Sequence, residues 1–172
     1  MARALPSICV FCGARNGANP GHVATARALG AVIAAEGWRL VYGAGDVGLM
    51  GEVARSVQSA GAATMGVIPI QLVITQDMHE RKKVMFMNSD AIVVLPGGAG
   101  TLDEFFEVLT WAILGLHAKP IYLLDNDGYW QPLIALIDHV VAQGFADASI
   151  TTHFAVVPDV ETLTTALRAA LS

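Results

Sequence analysis

Residues able to do chemistry gather in three short stretches of this 172-residue chain. The first is Pro96-Gly97-Gly98-Ala99-Gly100-Thr101, which runs into Leu102-Asp103-Glu104. Glycines let backbone N–H groups approach an anion without a Cβ in the way, and a helix starting there adds free donors and a partial positive charge. The stretch therefore reads as a phosphate cradle, or else as a plain tight turn between a strand and a helix. Thr101 and Glu104 have the spacing of a capping box, in which both side chains satisfy free N–H groups at a helix start. The same spacing sets a carboxylate one helical turn above the cradle, about a ribose away from the phosphate, where a developing sugar cation would need a negative partner.

The second stretch, Met78-His79-Glu80-Arg81-Lys82-Lys83, holds 3 of the 10 basic residues in consecutive positions. In a chain of net charge −5 this concentrates positive charge. It is either a solvated helix face or the flank of a pocket, with Met78, Met85 and Phe86 fixing the other face of the helix against a sheet. The third stretch, Gly43-Ala44-Gly45-Asp46-Val47-Gly48, fits G-x-G-x-x-G and invites a dinucleotide. A dinucleotide site expects an acidic residue about 20 positions on to hold a ribose hydroxyl, and Ala62 to Leu72 contains no carboxylate. The motif also follows the second strand rather than the first, so NAD and FAD are disfavoured.

Other reactive residues lack such spacing. Cys9 and Cys12 form C-x-x-C, but the pair straddles a strand end instead of opening a helix, and the thiols read as packed or pocket-lining. Two cysteines without nearby histidines make no structural zinc site, so no metal is expected. His22, His117, His139 and His153 are scattered and read as structural or surface residues, with His79 at the edge of a pocket. Asp125-Asn126-Asp127-Gly128 lacks the later glutamate of a calcium loop and reads as a turn. No serine or threonine stands in a nucleophile elbow.

These stretches need a frame to bring them together. Short apolar runs alternate with longer helical patterns, the signature of βαβ units around a buried parallel sheet. Strands are expected at Ser7–Phe11, Arg39–Tyr42, Thr64–Ile68, Ala91–Leu95, Pro120–Leu124 and Phe154–Val157. Helices are expected at His22–Glu36, Leu49–Ala60, Met78–Asn88, Thr101–Leu114, Tyr129–Gln143 and Val160–Leu171, with Gly37, Gly61 and Gly144 as left-handed caps. The fold class is α/β, a doubly wound, Rossmann-like, mainly parallel sheet with helices on both faces, forming one domain over residues 1–172. Ligands of such sheets bind beyond the carboxyl ends of the strands, where the glycine turns lie.

Composition excludes other classes. Hydrophobic residues at 54% and charged residues at 15% are far from a disordered chain, and the apolar surplus suggests a subunit interface. The acidic balance argues against a nucleic-acid partner. No apolar run reaches the roughly 18 to 20 residues of a membrane span, and Met1–Pro6 lacks a signal peptide's apolar stretch. A cytoplasmic protein with no membrane partner is expected.

Taken together, Phe11-Cys12-Gly13, Val41-Tyr42-Gly43-x-Gly45-x-x-Gly48-Leu49-Met50-Gly51, Met78-His79-x-Arg81-Lys82-x-x-Met85 and Pro96-Gly97-Gly98-x-Gly100-Thr101-x-x-Glu104 strongly resemble the LOG (Lonely Guy) family, cytokinin riboside 5′-monophosphate phosphoribohydrolases. The resemblance runs in the same order from Ile8 to Leu167. It implies hydrolysis of the N-glycosidic bond of an adenine-type nucleoside 5′-monophosphate, AMP or N6-prenyl-AMP, to free base and ribose 5-phosphate, without metal or cofactor. It also implies Arg81 and Glu104 as the catalytic pair and a homodimer. Substrate contacts would come from Gly13, Gly43, Gly45, Met78, Lys82, Pro96 and Gly97, with Gly98, Ala99, Gly100 and Thr101 on the phosphate and Thr110 closing the site.

The chain departs from the family's pattern in two places. Ala14 and Arg15 stand where serines usually follow the glycine, and Ala44 interrupts a usual glycine triplet. The stretch from Pro69 to Asp77 is shorter than usual and lacks a glutamate that faces the ligand, which bears on base selectivity. Two other functions fit the same fold: a non-catalytic carrier of a nucleotide or pterin cofactor, and a nucleosidase for other purine or pyrimidine monophosphates. Members have also been labelled lysine decarboxylases, which would require a Schiff-base lysine and pyridoxal phosphate; Lys82, Lys83 and Lys119 are the only lysines.

Overall fold

Ser7-Ile8-Cys9-Val10-Phe11 is buried at every position, as expected of a central parallel strand covered on both faces. In the computed structural model, which describes residues 5–68 and 78–172 except the side chains of residues 78 and 79, that run is β1 (Ser7–Phe11). The elements following it are α1 (Gly21–Ala35), β2 (Arg39–Tyr42), α2 (Gly48–Ser59), β3 (Thr64–Gly66), α3 (Met78–Met87) and β4 (Ala91–Val94). Then come α4 (Ala99–Ile113), β5 (Ile121–Leu124), α5 (Gln131–Ala142), a short 3₁₀ turn (Ala148–Thr152), β6 (Ala155–Val157) and α6 (Val160–Leu171). The segment from Pro69 to Asp77 and the side chain of Met78 lie outside the described residues.

All pairings are parallel, and the strand order is β3-β2-β1-β4-β5-β6. This is the doubly wound arrangement, and it reverses direction between β1 and β4. Alternation along the strands sends Ile8, Val10, Val93 and Leu95 to a core shared with α1, α2 and α6, and Cys9, Phe11, Ile92 and Val94 to a core shared with α3, α4 and α5. Cys9 and Cys12 therefore lie on opposite faces of the sheet, both buried and free. Burial pushes both thiols up from the ordinary cysteine range, the opposite of what a redox pair needs.

The glycine caps fall as expected, with Gly37, Gly61 and Gly144 at φ 68, 74 and 78°. The α1 and α2 helices start one residue earlier than the sequence pattern, and two other helix starts differ from it by two residues. The α5 helix begins at Gln131, because Asp125 accepts from the Trp130 N–H at 2.7 Å and from the Gln131 side chain at 2.7 Å, extending the turn after β5. The α4 helix begins at Ala99, with Gly98 as its N-cap and no side-chain cap. Among the described residues no helix is long and apolar enough to cross a membrane.

Candidate functional site

The turn after β1 and the turn after β4 lie side by side at the carboxyl end of the sheet, where the strand order reverses and a crevice must open. The Gly13 N–H donates to the Pro96 carbonyl at 3.0 Å. Gly97 must be glycine because a Cβ there would collide with Thr101 and come within 2.9 Å of the Gly13 nitrogen. A cavity of about 700 Å³ occupies this crevice, lined by Cys12–Asn19, His22, Leu49, Met50, Arg81, Lys82, Pro96–Gly98, Gly100, Thr101, Asp103, Glu104 and Tyr129. That volume is in the range of small-molecule sites.

One wall is the α4 N-terminus. The first N–H groups of any helix have no intrahelical partner, and here the first turn holds no acidic residue to occupy them. Among the described residues, chain neighbours and the helix's own backbone aside, no atom lies within 4 Å of where a Cβ on Gly98 or Gly100 would sit, so the cradle is open above both. Thr101 is not the N-cap that a capping box requires; it lies within the first turn, buried against Gly97 and bordering the cavity. The capping-box reading of Thr101 and Glu104 is therefore corrected by the earlier start of the helix.

Glu104 points its chemistry at the cavity. Burial raises its carboxyl from 4.5 to about 7; Arg81 and Lys82 oppose the shift, while Asp103 and Glu107 add to it. Among the described residues its carboxylate makes no hydrogen bond. A carboxyl balanced near neutral pH can take or give a proton at little cost, which is the usual requirement for a general acid or base.

Arg81 and Lys82 come from α3 and differ in their surroundings. The Arg81 guanidinium donates from Nε to the Val67 carbonyl at 3.0 Å and from Nη2 to the Gly43 carbonyl at 2.9 Å. It is thus aimed by the backbone around β3 and the turn after β2. Lys82 is 5% exposed and donates to Asp103 at 2.8 Å, with Glu107 at 2.9 Å. Burial works against its charge, but the hydrogen bonds to these carboxylates outweigh it and hold the ammonium above the ordinary lysine value.

Gly13, Arg81, Lys82, Pro96, Gly97, Gly98, Gly100, Thr101 and Glu104 are brought together around one cavity. Gly43 and Gly45 do not border it; they support it, Gly43 through Arg81 and Gly45 through an N–H to the Met50 sulfur at 3.1 Å. Ala99 belongs to the first turn of α4 but is not among the lining residues. Thr110 is exposed and outside the cavity, its hydroxyl donating to the Phe106 carbonyl at 2.7 Å.

Several lining residues carry no motif. His22 and Tyr129 meet edge to face at 5.7 Å, and the Tyr129 hydroxyl donates to the Gly97 carbonyl at 2.6 Å. Asn19 donates to Asp127 at 3.1 Å, joining the turn after β1 to the turn after β5. The one available signal is topological, since these residues stand in turns at the carboxyl end of the sheet. His22, read as structural or surface, is buried and borders the cavity.

Residues 50–167 match a family model described as "Possible lysine decarboxylase". Lys82, the cavity's lysine, is clasped by two carboxylates, so it is poorly suited to the neutral amine that a Schiff base requires. Lys119 donates to the Phe86 carbonyl and borders a different cavity. The fold matches the molybdenum cofactor binding protein from Rippkaea orientalis with a TM-score of 0.76 over 100% of both chains, at 23% identity. In sequence the chain is 40% identical, over 97% of its length and 92% of the relative's, to a cytokinin riboside 5′-monophosphate phosphoribohydrolase of Rhodococcoides fascians. It is 44% identical, over 91% of its length and 74% of the relative's, to a probable enzyme of the same name from Oryza sativa subsp. japonica. With relatives of that identity and coverage, the chain belongs to the LOG family of cytokinin riboside 5′-monophosphate phosphoribohydrolases, hydrolases of N-glycosyl bonds.

Proposed function

We propose that the chain hydrolyses the N-glycosidic bond of an adenine-type nucleoside 5′-monophosphate, AMP or its N6-prenyl analogue, releasing the free base and ribose 5-phosphate. The observation that carries this reading is Glu104, a carboxyl poised at about 7 in the same cavity as an open helix N-terminus. With the phosphate on the first turn of α4, the ribose extends toward Glu104. The C1′–N9 bond breaks with its electrons going to the base, and the sugar passes through an oxocarbenium-like state. Ionised Glu104 stabilises that cation and accepts a proton from the water whose oxygen bonds to C1′. The proton then reaches the leaving base, whose developing negative charge is offset by Arg81.

Incubation with AMP and with N6-prenyl-AMP, followed by chromatography for free base, tests the reaction. Release by wild type and loss in Glu104→Gln support it. Tight binding without release would instead mark a carrier, and preferential release from other monophosphates would mark a broader nucleosidase. A cytoplasmic location fits the free, buried Cys9 and Cys12, since oxidising compartments favour disulfides.

The same reading includes a homodimer. Phe106, Ile113, Leu114 and Leu116 leave large apolar side chains exposed on and beyond the outer side of α4, and a monomer rarely leaves such a face uncovered. Thr110 stands on that side of the helix and would contact the second copy. Light scattering tests this, and a monomer at micromolar concentration would overturn it.

A further inference from the structure

A phosphate monoester carries a charge of about −1.5 to −2 at neutral pH, whereas a helix N-terminus offers only about +0.5. The cradle Pro96–Thr101 contains no cation of its own. Among the described residues, three Lys or Arg side chains border the cavity: Arg15, Arg81 and Lys82. Lys82 is already neutralised by Asp103 and Glu107 at 2.8 and 2.9 Å. Arg81 borders the same cavity, but its guanidinium is already engaged by the Val67 and Gly43 carbonyls.

Arg15 is different on each count. It is exposed, and among the described residues it makes no hydrogen bond or ion pair. It stands two residues after Gly13, whose N–H bonds the Pro96 carbonyl at 3.0 Å and whose Cβ position lies 3.3 Å from the Gly97 Cα. The turn carrying Arg15 is therefore fastened to the cradle itself. A guanidinium can bridge two phosphate oxygens in a fork that an ammonium cannot match.

We propose that Arg15 binds the 5′-phosphate of the substrate and sets the preference for nucleoside monophosphates over free nucleosides. The inference rests on the nucleotide reading above and adds the residue that reads the phosphate. The approach of the dianion draws Arg15 over the α4 N-terminus, closing the phosphate end of the cavity while leaving the sugar and base ends unchanged. Because Arg15 is a surface residue, its replacement leaves the core intact.

Calorimetric titration of AMP and of adenosine into wild type, Arg15→Ala and Arg15→Lys tests this, with adenine release measured on the same samples. Loss of a charge-assisted pair should weaken AMP binding in Arg15→Ala by about tenfold to a hundredfold. Adenosine binding should not change, and Arg15→Lys should recover part of the loss. An AMP-to-adenosine affinity ratio in Arg15→Ala equal to that of wild type would overturn the assignment. Absence of adenine release from wild type would instead strike the proposed reaction, leaving the affinity ratio to decide on Arg15. A wild-type chain that binds AMP no better than adenosine would overturn the Arg15 assignment and the phosphate cradle together.

Discussion

The Arg81 guanidinium donates to the Gly43 carbonyl at 2.9 Å, and a Cβ on Gly43 would fall on the same Nη2 atom that makes the bond. Gly43 is thus required for close approach, and the G-x-G-x-x-G turn aims a cation. Gly43→Ala should push the guanidinium out of its seat while the helices and sheet stay in place. Misplacing a catalytic group by about 1 Å costs up to roughly a hundredfold in rate. The expected result is a fall in kcat/KM for AMP of about tenfold to a hundredfold, with unfolding free energy changed by less than about 2 kcal/mol. Steady-state kinetics and urea denaturation on the same preparation check both halves.

Glu104 makes the fold's stability depend on pH. Its carboxyl is raised from 4.5 to about 7, chiefly by burial, so between those values the folded chain holds a proton that the unfolded chain has lost. A raised carboxyl contributes stability that is full below the unfolded value and is lost as pH climbs through the folded one. Glu104→Gln cannot ionise and escapes this loss. At pH 8 the variant should be more stable than wild type by up to about 3 kcal/mol, and at pH 4 the two should be alike. Urea denaturation at the two pH values measures the difference, and a gap of equal size at both would sink the burial argument.

The parallel sheet was legible in the sequence because its strands are continuous apolar runs buried on both sides, and periodicity carried the helices. The opposite facing of Cys9 and Cys12 likewise follows from strand alternation. The start of α4 was misplaced for a physical reason: Thr101 and Glu104 have capping-box spacing, yet Gly97 and Gly98 let the chain turn into the helix at Ala99 and bury Thr101 instead. The cradle, Arg81 and Glu104 could be assembled into one site only because motif order matched a family. The partners of Lys82 were not legible, since Asp103 and Glu107 reach it only through the docking of α3 near α4. Nor were Asn19, His22 and Tyr129, whose contacts with Asp127 and Gly97 join turns far apart in sequence.

Lys82→Met should test what that clasp does. Its partners differ in exposure, Asp103 at 64% and Glu107 at 20%, so water can resolvate the first more readily than the second. The loss of stability should be about 1–2 kcal/mol, below the usual cost of breaking a fully buried pair. Lys82 also helps keep the Glu104 carboxyl from rising further. Its removal should move the Glu104-dependent limb of the pH–rate profile to higher pH. A profile that keeps its midpoint would show that Lys82 acts on the fold alone.

Tyr129 tests whether the cradle needs to be held from outside. Its hydroxyl donates to the Gly97 carbonyl at 2.6 Å while 42% of the residue is exposed. In a planar trans peptide, the carbonyl of Gly97 and the N–H of Gly98 point in opposite directions. Fixing the Gly97 carbonyl therefore also fixes the direction of the Gly98 N–H at the α4 N-terminus. Tyr129→Phe keeps the ring against His22 and removes only the hydroxyl, so stability should change by less than about 1 kcal/mol. The KM for AMP should rise about threefold to tenfold with kcat little changed, because on the proposed reading the loosened donor would hold the phosphate in ground state and transition state alike. A fall in kcat at constant KM would instead put Tyr129 in the bond-breaking step, leaving the cradle rigid without its hydroxyl.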